Sequence, residues 1–181
     1  ELKFPLFIIV NTNKDGKPTD CLPGGECTLR SAIKKANATP AGTDVAIVIP
    51  AGEYKLTYAY TDIDSYSGQL KILRDMSLSV SKDPAKYDPK KPETFQAIID
   101  ATALNERAFR IGASFPSLSK PDVTFIGLQI TGANPTKKAG TGGAIFIYAG
   151  AKLTLDHVTV SENKTSGISN EGTLVIQNST F

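Results

Sequence analysis

The last third of the chain carries an apolar pattern that narrows the possible folds more than any other feature. Apolar residues recur with spacing two, three, two: Val123, Phe125, Leu128 and Ile130, then Leu153, Leu155, Val158 and Val160, then Leu174, Ile176, Ser179 and Phe181, with Ser179 the one polar exception. The copies are offset by 30 and then 21 residues. That spacing fits no single helix face. It fits two short strands whose alternate residues point inward, joined by a two-residue corner. The second corner residue is Gly127, His157 and Asn178 in turn, all types that tolerate positive φ.

A third strand precedes each of the last two copies, at 143–147 and 167–169, with Gly150 and Gly172 at the following corner. Each turn of chain then holds three strands and three bends. Such a unit cannot bury its apolar residues alone, so the turns must stack, each strand pairing in parallel with its equivalents. The expected fold class is all-β, a right-handed parallel β-helix of three-strand coils. The six-residue period of the hexapeptide type is absent.

The earlier chain agrees. Short β-prone runs at 46–49, 70–72, 77–80 and 97–99 are separated by Gly, Asn, Asp and Pro. Only one segment has helical periodicity: Leu29, Ala32, Ile33 and Ala36 share a face, Thr28 is a suitable N-cap, and Asn37 ends the helix before Pro40 and Gly42. The expected organisation is an N-terminal cap over 1–43 and β-helix coils over 44–181, with insertion loops at about 57–69 and 82–95.

At 181 residues the chain suits a single core. Twenty Lys and Arg against eighteen Asp and Glu give a net charge of +2, too balanced for nucleic-acid or membrane binding by charge. No apolar run is long enough to span a bilayer. The chain begins at Glu1 without a signal-peptide pattern, as expected of a processed or excised sequence. Cys21 and Cys27 lie six apart in a Gly- and Pro-containing stretch that can fold back, which predicts a disulfide. Zinc lacks ligands, since there is no third Cys and no second His, and a redox pair would favour tighter spacing. A disulfide points to an oxidising compartment and export.

The stretch Phe7-Ile-Ile-Val-Asn-Thr, then Asp15-Gly16, Cys21, and Cys27-Thr28-Leu29-Arg30-Ser31-Ala32-Ile33 with Ala36-Asn37 resembles the N-terminal module of bacterial surface and secreted β-helix proteins known as the CSLREA domain. The runs Asp44 through Thr57, Ile99-Asp100, Arg107-Ala108-Phe109 and Gly142-Gly143-Ala144-Ile145 look like coils of the pectin-lyase-like fold of the same proteins. The family has Glu where this chain has Ser31, so the reciprocal half of a capping box is expected to be missing. The helix, pinned by the disulfide, is expected to act as a lid over one open end of the β-helix. The chain stops at Phe181 within a coil, so further coils or another subunit are expected to cover the other end.

Candidate sites are few. Asp156-His157-x-Thr159 is reminiscent of a short pectate-lyase motif, but the usual preceding Trp is absent and His157 is already accounted for as a corner residue. The neighbouring-coil equivalents of Asp156 are Ile126 and Gln177, so no carboxylate ladder forms there. Asp62, Asp64, Asp75, Asp83 and Asp88 remain able to converge through loops. Asn11, Asn13, Asp15 and Gly16 have the first half of a calcium-loop spacing, with Asp20 further along, but Leu22 stands where a bidentate Glu is required. A turn-forming loop is the simpler account, and whether these residues bind calcium stays open. Tyr58, Tyr60, Tyr66 and Tyr87 are candidate ligand or partner contacts, with packing onto the solenoid wall as the alternative.

The expected function is a non-catalytic, secreted or cell-surface structural or adhesive scaffold without metal or cofactor, meeting a glycan or protein partner. The alternative is a polysaccharide lyase or glycoside hydrolase of the same fold.

Overall fold

The computed structural model describes residues 5–81, 96–114, 118–135 and 143–181. They form one α-helix and fourteen short strands in three sheets, and every pairing between these strands is parallel. The first sheet holds β1 (Leu6–Ile9), β2 (Val45–Ile49), β5 (Met76–Val80), β8 (Asp122–Ile126), β11 (Lys152–Asp156) and β14 (Thr173–Gln177), in that spatial order. The second holds β3 (Gly52–Lys55), β6 (Ala97–Asp100), β9 (Leu128–Thr131) and β12 (Thr159–Val160). The third holds β4 (Leu70–Ile72), β7 (Phe109–Ile111), β10 (Ile145–Ile147) and β13 (Ile168–Asn170). From β2 onward the chain visits the three sheets in strict rotation.

Alternation decides what each strand buries. Ile8, Ile47, Leu78, Phe125, Leu155 and Ile176 occupy one register position across the whole first sheet. The middle four are fully buried, and each such side chain stabilises the fold by about 1.5–3 kcal/mol. Phe125 also meets Phe109 of the third sheet, with ring centroids 4.8 Å apart. Ile176 and Phe181 depart from the expected buried pattern, at 49% and 56% exposed. They follow the same periodicity, but β14 pairs with β11 alone and Phe181 follows a lone bridge from Thr180 to Thr159, so no described strand stacks over either residue from the far side.

The corners take the predicted conformation: Gly127, His157 and Asn178 have φ of 69°, 52° and 47°. Non-Gly residues tolerate that region when their side chains make local hydrogen bonds. Asn178 Nδ2 donates to Asp156 Oδ1, and His157 Nδ1 lies 2.8 Å from the same oxygen.

The helix α1 (Leu29–Asn37) buries Leu29, Ala32, Ile33 and Ala36 and packs against β1, β2 and β4, at the end of the apolar interior where these sheets begin. Thr28 caps it, its Oγ1 accepting the Ser31 N–H at 3.1 Å. Ser31 does not merely lack the reciprocal bond of a capping box. Its fully buried Oγ accepts the Thr19 N–H at 3.0 Å and lies 2.9 Å from Thr28 Oγ1, so it ties the preceding loop to the helix. At the other end Asn37 clamps the helix to the third sheet. It donates to Lys71 O at 2.7 Å and accepts the Leu73 N–H at 2.8 Å.

Candidate functional site

The loop before α1 is organised by one buried ion pair. Arg30 Nε and Nη2 donate to the two carboxylate oxygens of Asp15 at 2.7 and 2.9 Å. Asp15 Oδ2 also accepts the N–H groups of Thr57 and Tyr58, each at 2.8 Å, and Arg30 Nη1 donates to the carbonyls of Tyr66 and Gly68 at 2.7 Å. The guanidinium lies 5.6 Å from the centre of the Tyr58 ring. Burial of Asp15 pushes its carboxyl pKa up, but the Arg30 hydrogen bond and charge and the two amides outweigh it and leave the pKa below its ordinary value. Loop 57–69 is thereby held against the helix and disulfide segment. Gly68 has φ of 73°, and a Cβ there would lie 2.3 Å from Glu106 Oε2, so two loops close on this position.

Cys21 and Cys27 form a disulfide with Cα atoms 4.6 Å apart. Asn11 Oδ1 accepts the Cys27 N–H and its Nδ2 donates to Gly25 O, while Asp20 pairs with Lys34 at 2.8 Å. With Asp15 committed to Arg30, the oxygens of Asn11, Asp15 and Asp20 are each directed to a different protein partner. Asn13, also in this loop, is not part of that hydrogen-bond network. Among the described residues no group of three or more His, Cys, Asp or Glu is placed to hold a metal ion.

The tyrosines divide. Tyr58 is half-buried, with its hydroxyl donating to Asp64 Oδ2 at 2.7 Å. That bond raises the phenol pKa and lowers that of the Asp64 carboxyl. Tyr58 and Tyr66 line one cleft with Lys34 and the exposed Ile63, whereas Tyr60 faces a different cleft. Tyr87, with Asp83 and Asp88, lies outside the described residues. The other candidate aspartates are used separately: Asp62 bonds Tyr60, and Asp75 accepts the Asp122 N–H.

That second cleft, of about 360 Å³, lies on the outer face of the third sheet and is lined by Tyr60, Lys71, Glu106, Arg107, Arg110 and Tyr148, among others. Lys71 and Arg110 are register partners on β4 and β7. Burial and the neighbouring Arg110 charge lower the Lys71 pKa. Arg107 lies 4.9 Å from the Phe146 ring centre, and Arg110 lies 5.4 Å from that of Tyr148. These cations were not singled out from sequence, although the triplets Leu70-Lys71-Ile72 and Phe109-Arg110-Ile111 carry a signal: the middle residue of a three-residue strand with buried flanks must face outward.

Asp156 and Asn178 meet at the corner described above, where the Asn178 hydrogen bond, followed by that of His157, lowers the Asp156 pKa. The Asp156 register partners are Ile126 and Gln177, so no second carboxylate joins it. No helix among the described residues is long and apolar enough to cross a membrane. In comparisons with known proteins, no family model, no curated protein and no solved structure matches the chain.

Proposed function

We propose that the chain is a right-handed parallel β-helix whose role is that of a non-catalytic scaffold, exported to the cell surface or medium. The observation that carries the reading is the in-register column from Ile8 to Ile176 across the first sheet, together with a helical lid pinned at the β1 end. Such a column gives a stiff rod that presents loops along its length, and its stability depends on nearest-neighbour stacking. The N-terminal segment 1–43 acts as the cap. The ion pair between Asp15 and Arg30 joins it to the first insertion loop, which offers Tyr60 and Tyr66 to a glycan or protein partner. The resemblance of the disulfide and helix segment to the CSLREA module supports the same reading. The Cys21–Cys27 disulfide supports an oxidising destination.

The test has two parts. Fractionation of the source cells should place the full-length protein outside the cytoplasm with its disulfide oxidised. Incubation with acidic and neutral polysaccharides should release no products. Recovery in the reduced cytoplasmic fraction, or robust release of unsaturated or reducing-end sugars, overturns the proposal.

A further inference from the structure

We propose that the outer face of the third sheet carries a binding cleft for an oxyanion, a carboxylate or sulfate group, recognised by Lys71 and Arg110 with Arg107 behind them. Three cations and one carboxylate line this cleft. The carboxylate, Glu106, accepts the Gln69 N–H through Oε2, and its single charge offsets only part of that of the three cations. Lys71 and Arg110 form no ion pair with any described residue. Lys71 Nζ donates to Ser65 O and has no other hydrogen bond among the described residues, so two of its three N–H donors are left for a ligand. The Nε of Arg110 is buried and has no hydrogen-bond partner among the described residues.

A buried guanidinium donor without an acceptor is costly, and a second cation beside it raises the cost. An oxyanion in the cleft lessens both penalties, because it neutralises the Lys71–Arg110 repulsion and offers a counter-charge to the guanidinium whose Nε has no acceptor among the described residues. The arrangement favours a single compact oxyanion over a polyphosphate track. The cations lie on two adjacent three-residue strands, the cleft volume is that of a small-ligand site, and the whole chain carries a net charge of only +2. Tyr60 and Tyr148 supply aromatic walls for the carrier of the charged group.

The inference goes beyond the scaffold reading and stands without it, since binding here requires neither export nor the absence of catalysis. The test follows the Arg110 Nε–H resonance of the full chain while sodium sulfate and, separately, sodium acetate are titrated against chloride at constant ionic strength. A saturable shift with either anion supports the site, and the tighter of the two assigns the group. Arg110→Gln should weaken that anion about tenfold or more, Lys71→Gln should weaken it less, and Arg74→Gln, an exposed cation elsewhere, should leave it unchanged. Non-saturating shifts with both anions, or equal weakening by Arg74→Gln, overturn the proposal. The wild-type titration decides the matter even if Arg110→Gln fails to fold.

Discussion

Asp15 and Arg30 form a two-pronged ion pair with side chains only 4% and 2% exposed, and through it the disulfide loop, helix α1 and loop 57–69 meet at one point. The Arg30 side chain also satisfies two carbonyls of loop 57–69, while Asp15 satisfies two of its amides. Four of the five Arg30 N–H donors and both Asp15 oxygens have partners, and such satisfaction is the condition under which a buried pair holds a structure together.

Removing one partner is therefore expected to be expensive. Arg30→Met should cost about 3–5 kcal/mol, measured by urea unfolding, because Asp15 is left charged and buried. Asp15→Asn should also destabilise, and its effect should depend on pH. The folded Asp15 pKa lies below the ordinary 3.8, so its contribution is fully present above the unfolded value and is lost as pH falls through the folded one. The stability gap between wild type and Asp15→Asn should stay constant above about pH 5 and shrink below about pH 4. A gap that widens on acidification would contradict this assignment.

Loss of the disulfide should have a modest effect. It closes a short loop, so Cys21→Ala/Cys27→Ala should lower stability by about 2 kcal/mol in the chain-entropy account. Thermal melts of the wild type with and without reductant check the same quantity. No change on reduction would mean that the Asn11 and Thr19 hydrogen bonds hold the loop unaided.

Ser31→Glu would complete a capping box with Thr28, yet it should destabilise the protein by about 1–3 kcal/mol. The side chain has no exposed surface, and its Oγ serves Thr19 and Thr28. By contrast Thr28→Ala should lose an ordinary cap, about 0.5–2 kcal/mol. If calorimetry showed Ser31→Glu to be stabilising, the Ser31–Thr19 tether would be of no consequence.

Two positions in the same column should respond unequally. Phe125→Ala removes a fully buried ring in contact with Phe109 and should cost about 3–5 kcal/mol. Ile176→Ala, half exposed on the last strand, should cost well under half of that. Equal losses would mean that Ile176 is covered in solution by something beyond β14.

The corner at His157 is a test of conformation more than chemistry. His157→Asn should leave stability within about 0.5 kcal/mol, whereas His157→Val should cost about 1–2 kcal/mol through its positive φ. Chemical denaturation of the two variants separates these outcomes.

Much of this architecture was legible in the order of residues. The two-three-two spacing located β8, β9, β11, β12 and β14 and their corners, because strand alternation and the need for a positive-φ residue at each bend are local rules. The helix and its cap were legible for the same reason, as was the disulfide across a short turn. Burial at the far end was not, since periodicity says which way Ile176 points and not whether a neighbour lies over it.

What the chain's order determined by itself is which side chains face inward, where the backbone turns, and which segment can be a helix. These follow from stereochemistry over a few residues. Only the tertiary structure decided that Asp15 belongs to Arg30, that Ser31 serves the Thr19 loop, and that Lys71 and Arg110 share a cleft. Those partners lie 12 to 39 residues apart, and their pairing depends on the stacking register of strands and loops, which no local spacing encodes.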